Sequence, residues 1–418
     1  MWKTKIVVVL MLLTGKWIFG QSFTEAPYPQ LVSEKYKFRN GTADLGSKLV
    51  IDRDDNVYVL TSSEFYILLA GQMVPNNHYR PLQNKIPVDI TVQAGSGELY
   101  YLYPDHYLSN THAGKPYGVF NAGQFDKISV NSQSDVLLSK GHEFQLTKNG
   151  TAITGRESTE IQEIQAQGED FYIKTRFGIS KYQDGRFEML VENSKIVSWT
   201  ISEDQIFIGT DKGYYSVHAE NGRRLTELQE ALPALPPTSM STHHNKLWMG
   251  SNHGSYLTED HENFRYFASQ RWLLEDEVLD VATDSQGHGY ILTRSGVSRI
   301  KFQPMTLGEK AEYFFDKIRK RHLRYGLIGE IRLQEPGDIS TMEMIDTDND
   351  GLWTSFYLGS EVFRYATTGD ARAKANALES FEAFERLISI NQLDGFPSRT
   401  FERTGYKVSD HERWRDSP

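Results

Sequence analysis

The sequence predicts a mainly β protein, a seven-bladed β-propeller over residues 45–303 followed by a short α-helical segment over 304–418. Two observations carry this. One pattern recurs seven times through the middle of the chain: alternating apolar residues, a small hydroxyl residue in most copies, a turn, then a second alternating run. The copies begin at Val57, Leu99, Val136, Phe171, Ile206, Leu247 and Gly289, on average about 39 residues apart, the length of a propeller blade. After Phe302-Gln303-Pro304 the apolar period lengthens from two to between three and four, the spacing of a helix face.

The chain begins with Met1-Trp2-Lys3-Thr4-Lys5, and Ile6 to Leu13 are apolar without a break. A basic start, a short apolar run and Gly20 before Gln21 describe a secretory signal peptide over 1–20. The run is too short to span a bilayer, and Lys16 interrupts its extension. Export to the periplasm or the extracellular space is expected, with no transmembrane segment in the mature chain. Residues 21–44 are read as an N-terminal extension. The chain has 55 acidic against 45 basic residues, a formal charge of −10 and no cysteine. The acidic balance argues against nucleic acid as a partner. Without cysteine, disulfide frameworks, thiolate metal sites and cysteine nucleophiles are excluded, so an exported chain must be held by its core.

Within the repeats, each copy is preceded by another short run, such as Leu49-Val50-Ile51 or Val278-Leu279-Asp280-Val281. Three to four short strands per repeat fit a blade; a sandwich lacks a seven-fold period, and the coils of a β-helix are shorter. Gly178, Gly213, Gly254 and Gly296 fall in the turns, where φ > 0 is needed. The Thr or Ser before each turn can hydrogen-bond into it. Ile206-Phe207-Ile208-Gly209-Thr210-Asp211-Lys212-Gly213-Tyr214 and Leu247-Trp248-Met249-Gly250-Ser251-Asn252-His253-Gly254 resemble the repeat of the two-component-regulator propeller family. That resemblance implies blades of the kind found on exported bacterial sensor proteins.

In the last hundred residues, helices are predicted over Glu309 to Tyr325, Gly351 to Thr367 and Ala371 to Ile390. The stretch Asp346-Thr347-Asp348-Asn349-Asp350-Gly351-Leu352-Trp353-Thr354-Ser355-Phe356-Tyr357, with Phe363-Arg364-Tyr365-Ala366 and Gly395-Phe396-Pro397-Ser398-Arg399, resembles the start of an (α/α) toroid of the glycoside-hydrolase or polysaccharide-lyase type. The resemblance implies an incomplete toroid, because this segment is about half as long as a full one. Asp348, Asp350 and Glu330 are the candidate catalytic acids, since glycosidic cleavage uses a pair of carboxylates. Trp353 and Tyr357 can stack on sugar rings, and His322, Arg332 and Arg364 are candidate ligand-binding residues, arginine being suited to acidic sugars.

Asp346, Asp348 and Asp350 before Gly351 open like a calcium loop, although Tyr357 stands where the bidentate Glu belongs. Calcium is the one cofactor considered. The competing reading makes these carboxylates caps of the Gly351 helix. The histidines, densest at His243-His244, His253 and His261, lack metal-ligand spacing. Asn40-Gly41-Thr42 and Asn149-Gly150-Thr151 match the glycan-acceptor pattern. The expectation is an exported binding or sensing protein for extracellular carbohydrate or a cell-envelope partner. The alternatives are a glycan-degrading enzyme or remnant of one, and an envelope scaffold. Oligomeric state is left open.

Overall fold

Seven apolar repeats, each too small to bury its own faces, fold as seven antiparallel sheets (residues 48–75, 89–119, 127–156, 161–192, 196–218, 239–267 and 280–305) and bury those faces against one another. The computed structural model describes residues 25–76, 85–111, 118–335 and 338–401. The seven starts marked in the sequence lie in the second strand of each sheet, and the run before each supplies the first strand or leads into it. The seventh sheet takes its fourth strand from Tyr28–Lys37, which pairs with Gly296–Met305. Within the stretch 21–44, residues 28–37 are therefore a blade strand. Residues 1–20, read as the signal peptide, lie outside the described residues.

One apolar cluster occupies each junction between neighbouring sheets. Trp248, Leu257 and Phe267 of the sixth sheet meet Val281, Ile291 and Ile300 of the seventh. Leu49, Val57 and Val59 of the first sheet meet Tyr290, Leu292 and Val297 of the seventh, which completes the circle. Aspartates at the first strands stitch the blades together. Asp280 accepts from the Leu49 amide (2.9 Å) in the first blade and the Ser239 hydroxyl (2.7 Å) in the sixth. Asp89 likewise accepts from the Ile128 amide (2.9 Å) and Lys48 Nζ (2.9 Å).

The turns are built as the residue types require. Thr210 Oγ1 donates to the Gly213 carbonyl (3.0 Å), and Ser251 Oγ to that of Gly254 (2.8 Å). Gly213 has φ +151°, and a Cβ there would lie 2.1 Å from the Gln229 carbonyl oxygen, so no side chain fits. The fifth sheet has three strands; after it the chain runs through Pro233, Pro236 and Pro237, which have no N–H to give to a ladder.

By its contacts the chain divides into two units: residues 31–302, and residues 303–418 together with the first 30. The second unit contains α2 (Leu307–Arg321), α3 (Asp350–Thr368) and α4 (Ala371–Ser389); α1 (Ser269–Trp272) is a single turn in the propeller. Thr306 and Glu309 form a reciprocal capping box that starts α2. Helix α2 ends four residues short of the expected Tyr325: after the cap His322 the chain runs extended through Leu323–Arg324, and Tyr325 (φ +51°) and Gly326 (φ +83°) turn it back as a hairpin. Leu323–Arg324 then pairs with Leu327–Ile328, and Glu330–Leu333 with Met342–Ile345. These two hairpins stand where the sequence reading placed no strand. Among the described residues no helix is long and apolar enough to cross a membrane.

Candidate functional site

Four of the residues singled out in the sequence meet in one cleft of about 530 Å³ in the second unit: His322, Glu330, Trp353 and Tyr357. Ile318 of α2, Ile328, Gly329 and Ile331 of the hairpins, and Phe356 and Ser360 of α3 complete its lining. Each comes from a local rule. His322 caps the C-terminus of α2, and Trp353, Phe356, Tyr357 and Ser360 follow the helical three- and four-residue steps of α3.

The polar groups of the cleft are oriented by hydrogen bonds. His322 Nδ1 lies 3.1 Å from the Gly329 carbonyl and donates to it, and in the tautomer this bond selects Nε2 is the acceptor. Trp353 Nε1 donates to Glu330 Oε1 at 3.4 Å. Tyr357 is buried at the base, and burial pushes its phenol up from the ordinary value. Its hydroxyl receives Arg319 Nη1 at 3.5 Å, and Arg319 is held by Glu379 at 3.0 Å. Trp353 and Phe356 stay 39% and 65% exposed, so part of each ring faces solvent.

The other candidates sit elsewhere. Arg332 falls on the same strand face as Glu330, two residues further along the strand. Arg364 is committed to ion pairs with Glu312 and Asp370 (both 2.7 Å) and lies over the Phe315 ring. Asp350 is fully buried; it accepts from Thr347 Oγ1 (2.9 Å) and Thr400 Oγ1 (2.8 Å). Burial pushes its carboxyl up, against those hydrogen bonds and Arg324 Nη2 at 3.7 Å. Asp346 pairs with Arg324, and Asp348 with Arg399 at 2.6 Å.

The three aspartates are thus spent on holding the chain before and after α3 together. Among the described residues no group of three or more His, Cys, Asp or Glu is arranged to hold a metal ion. Asn349 is the N-cap of α3 and makes no side-chain cap; Asp350 fills the first helical turn, where the helix dipole favours a negative charge. Of the lining residues missed from sequence, Ile331 lies on a strand whose signal was present, since Glu330-Ile331-Arg332-Leu333 alternates with period two, while Ile328 lies on a hairpin of two-residue strands too short to show a period.

A second cleft, of about 480 Å³, opens between the fourth and fifth blades and has a different chemistry. Glu169, Asp170, Glu203, Asp204 and Glu220 surround it, and Lys181 answers Asp170 (3.0 Å) and Glu220 from below.

Comparison with known proteins decides the fold and stops there. No protein-family model matches the chain, and no curated protein does. Among solved structures, the extracellular domain of a putative hybrid two-component system from B. thetaiotaomicron superposes with a TM-score of 0.50 at 14% identity, over 65% of this chain and 39% of that one. A streptogramin B lyase gives 0.52 at 11% identity, over 65% and 98% of the two chains. The Pan2 WD40 domain of Neurospora crassa gives 0.51 at 11%, over 68% and 97%. The fold is a β-propeller. It occurs in the extracellular part of a two-component system, the setting the repeat resemblance implied, and this chain spans about two fifths of that structure's length.

Proposed function

We propose that the protein is an exported binding protein, in which the cleft of the second unit takes a carbohydrate. One observation carries this reading. The cleft sets partly exposed aromatic rings, Trp353 and Phe356, beside a carboxylate and an imidazole acceptor. Sugars offer the complement of such a surface: apolar C–H faces that pack on rings, edged by hydroxyls that donate and accept. Glu330 Oε atoms and His322 Nε2 would take hydroxyl protons, and Arg332 lies at the margin for an acidic substituent. Export, by residues 1–20, and a setting like that of extracellular two-component domains agree with a ligand met outside the cytoplasm.

Cleavage is the weaker reading. A hydrolase needs two carboxylates across the scissile bond, about 5 to 9 Å apart. Among the described residues Glu330 is the carboxylate of this lining, while Asp350 is enclosed by Thr347, Thr400 and Arg324. The toroid resemblance remains the argument for an enzyme or its remnant, and α3 with α4 is the helical pair that fits it. Binding is expected without an added metal ion.

The test is a glycan array followed by calorimetric titration of each hit, with reducing-end release measured in parallel and with chelator present. The expected result is binding without product, unaffected by chelator and weakened at least tenfold in Trp353→Ala. Product formation lost in Glu330→Gln or Asp350→Asn would establish the enzyme instead. Retention of full affinity in both Trp353→Ala and Glu330→Gln would remove the ligand from this cleft, leaving an envelope partner as the reading to pursue.

A further inference from the structure

Helix α4 carries a buried row and, on another side, an exposed row in which apolar residues alternate with two charges. One, including Ala373, Ala377, Ala383 and Leu387, is buried within its own unit. The other, Ala371, Lys374, Leu378, Phe381, Glu385 and Ile388, is exposed along the whole helix. Its steps of three, four, three, four and three residues are those of a coiled-coil seam. Leu378, Phe381 and Ile388 keep more than half of their surface in water, and Leu378 with Phe381 forms an exposed apolar pair at the centre of the row, the kind of surface that marks an interaction site.

The two charges in the row tell what covers it. Lys374 and Glu385 lie at equal distances on either side of the midpoint between Leu378 and Phe381. Read from either end, the row is apolar, charged, apolar, apolar, charged, apolar, with the sign of the charge inverted. Two antiparallel copies, related by a two-fold axis crossing α4 between Glu379 and Ser380, would therefore match at every layer. Lys374 would face the second copy's Glu385, Leu378 its Phe381, and Ala371 its Ile388. These are the a-to-d layers of an antiparallel coiled coil, and a two-fold interface requires such a self-complementary patch. A parallel arrangement would set Lys374 against Lys374 and Glu385 against Glu385 at core positions, which like charges oppose. Lys374 Nζ lies 5.7 Å from the Tyr365 ring centroid, at the edge of cation–π range, so its head stays near the surface.

We infer that α4 is a self-association surface whose occupant is a second, antiparallel copy of this chain. One pair of helices of this length buries an area at the low end for specific complexes, so the dimer is reversible, with a dissociation constant on the order of micromolar to tens of micromolar.

Sedimentation equilibrium of the purified full chain tests this. The expected result is a monomer–dimer equilibrium. Lys374→Glu and Glu385→Lys should each weaken it about tenfold, a like-charge contact replacing each pair. The double variant, or an equimolar mixture of the two single variants, should recover wild-type association. Phe381→Glu should leave monomer only. All the altered side chains are exposed in the single chain, so circular dichroism and thermal midpoints measured well below the dissociation constant should be unchanged, which separates loss of the dimer from loss of the fold. The inference is overturned by a chain that stays monomeric at several times the expected dissociation constant. It is equally overturned by a dimer indifferent to Phe381→Glu, or by a double variant no better than either single one.

Discussion

The propeller and the helical unit draw on the same stock of aromatic residues and spend it in opposite ways. In the propeller most large rings are enclosed: Tyr103, Tyr172, Tyr214, Trp248, Tyr256 and Phe267 are all buried in the clusters between blades, and Phe177 and Tyr266 are exposed exceptions. In the helical unit a small cluster of Leu327, Ala383, Leu387 and Phe401 makes the core, while Phe356, Phe363, Phe381 and Phe396 stand more than half exposed. A ring of blades gives each apolar face a neighbour by geometry. The two hairpins and three helices among the described residues do not, and they leave more of their apolar surface in water. The function proposed above draws on that difference, with the closed ring as carrier and the exposed aromatic surface as the place of recognition.

The sharpest way to break that comparison is to remove an enclosed ring. Trp248 is fully buried, its indole N–H reaches the Gly287 carbonyl at 3.3 Å, and its ring stacks on Phe267 with centroids 5.4 Å apart. Trp248→Ala should cost the propeller about 3–5 kcal/mol in denaturant unfolding. A loss of less than about 1 kcal/mol would mean that the blades close on the cavity and that tight inter-blade packing is not what holds the ring.

The corresponding break in the helical unit is electrostatic. Arg324 lies between buried Asp346 and Asp350 and donates to the Phe401 carbonyl (3.1 Å). Arg324→Ala leaves two buried carboxylates without this cation. It should destabilise the helical unit by about 3 kcal/mol and leave the propeller transition in place. Unit-resolved hydrogen exchange would read the two separately. Protection lost equally in both units would sink the view that this ion cluster serves its own unit.

How much of this was legible beforehand follows the same division. The propeller could be read because periodicity is a long-range signal: seven copies correct one another, and the strand starts at Val57, Leu99 and Val136 need no single decisive residue. The helices were legible to within a few residues, except where the hairpin turning at Tyr325 and Gly326 takes over the residues expected at the end of α2. The closing strand Tyr28–Lys37 was hidden because its partner, Gly296–Met305, is far away in sequence. In the cleft, the residues on helical steps were found together. Asp350 and Arg364 were grouped with them because a sequence shows that a charge is present but not that Thr400 or Glu312 already satisfies it.

A smaller effect probes the stitching of the blades. Burial pushes the Asp280 carboxyl above its ordinary value, despite donation by Leu49 and Ser239. The folded chain thus holds this proton more tightly than the unfolded chain does. The stability tied to it is present in acid and is lost as pH rises from about 4 through the raised value, by about 1.4 kcal/mol for each unit of the rise. The Asp280→Asn variant has no such proton to lose. The unfolding free energy of wild type minus that of the variant should therefore fall as pH increases across this window. A difference that stays flat or climbs would show that the hydrogen bonds outweigh burial at this junction.

The smallest expected change is the one that tests the exposed half of the comparison. Phe363 is 75% exposed near the C-terminal end of α3, and what it gives the helix is its carbonyl, which accepts from Thr367 Oγ1 at 3.0 Å. Serine has a helix propensity close to that of phenylalanine and keeps that carbonyl. Phe363→Ser should shift the unfolding free energy by less than about 0.5 kcal/mol, as surface substitutions do, while raising the concentration at which the protein aggregates. The identical ring deleted at Phe267, which is buried between blades, should cost several times more. If Phe363→Ser instead lowers stability by about 2 kcal/mol, well beyond the surface range, the ring is covered in solution. The helical unit would then already be packed like the propeller, and its aromatic surface would no longer be free for recognition.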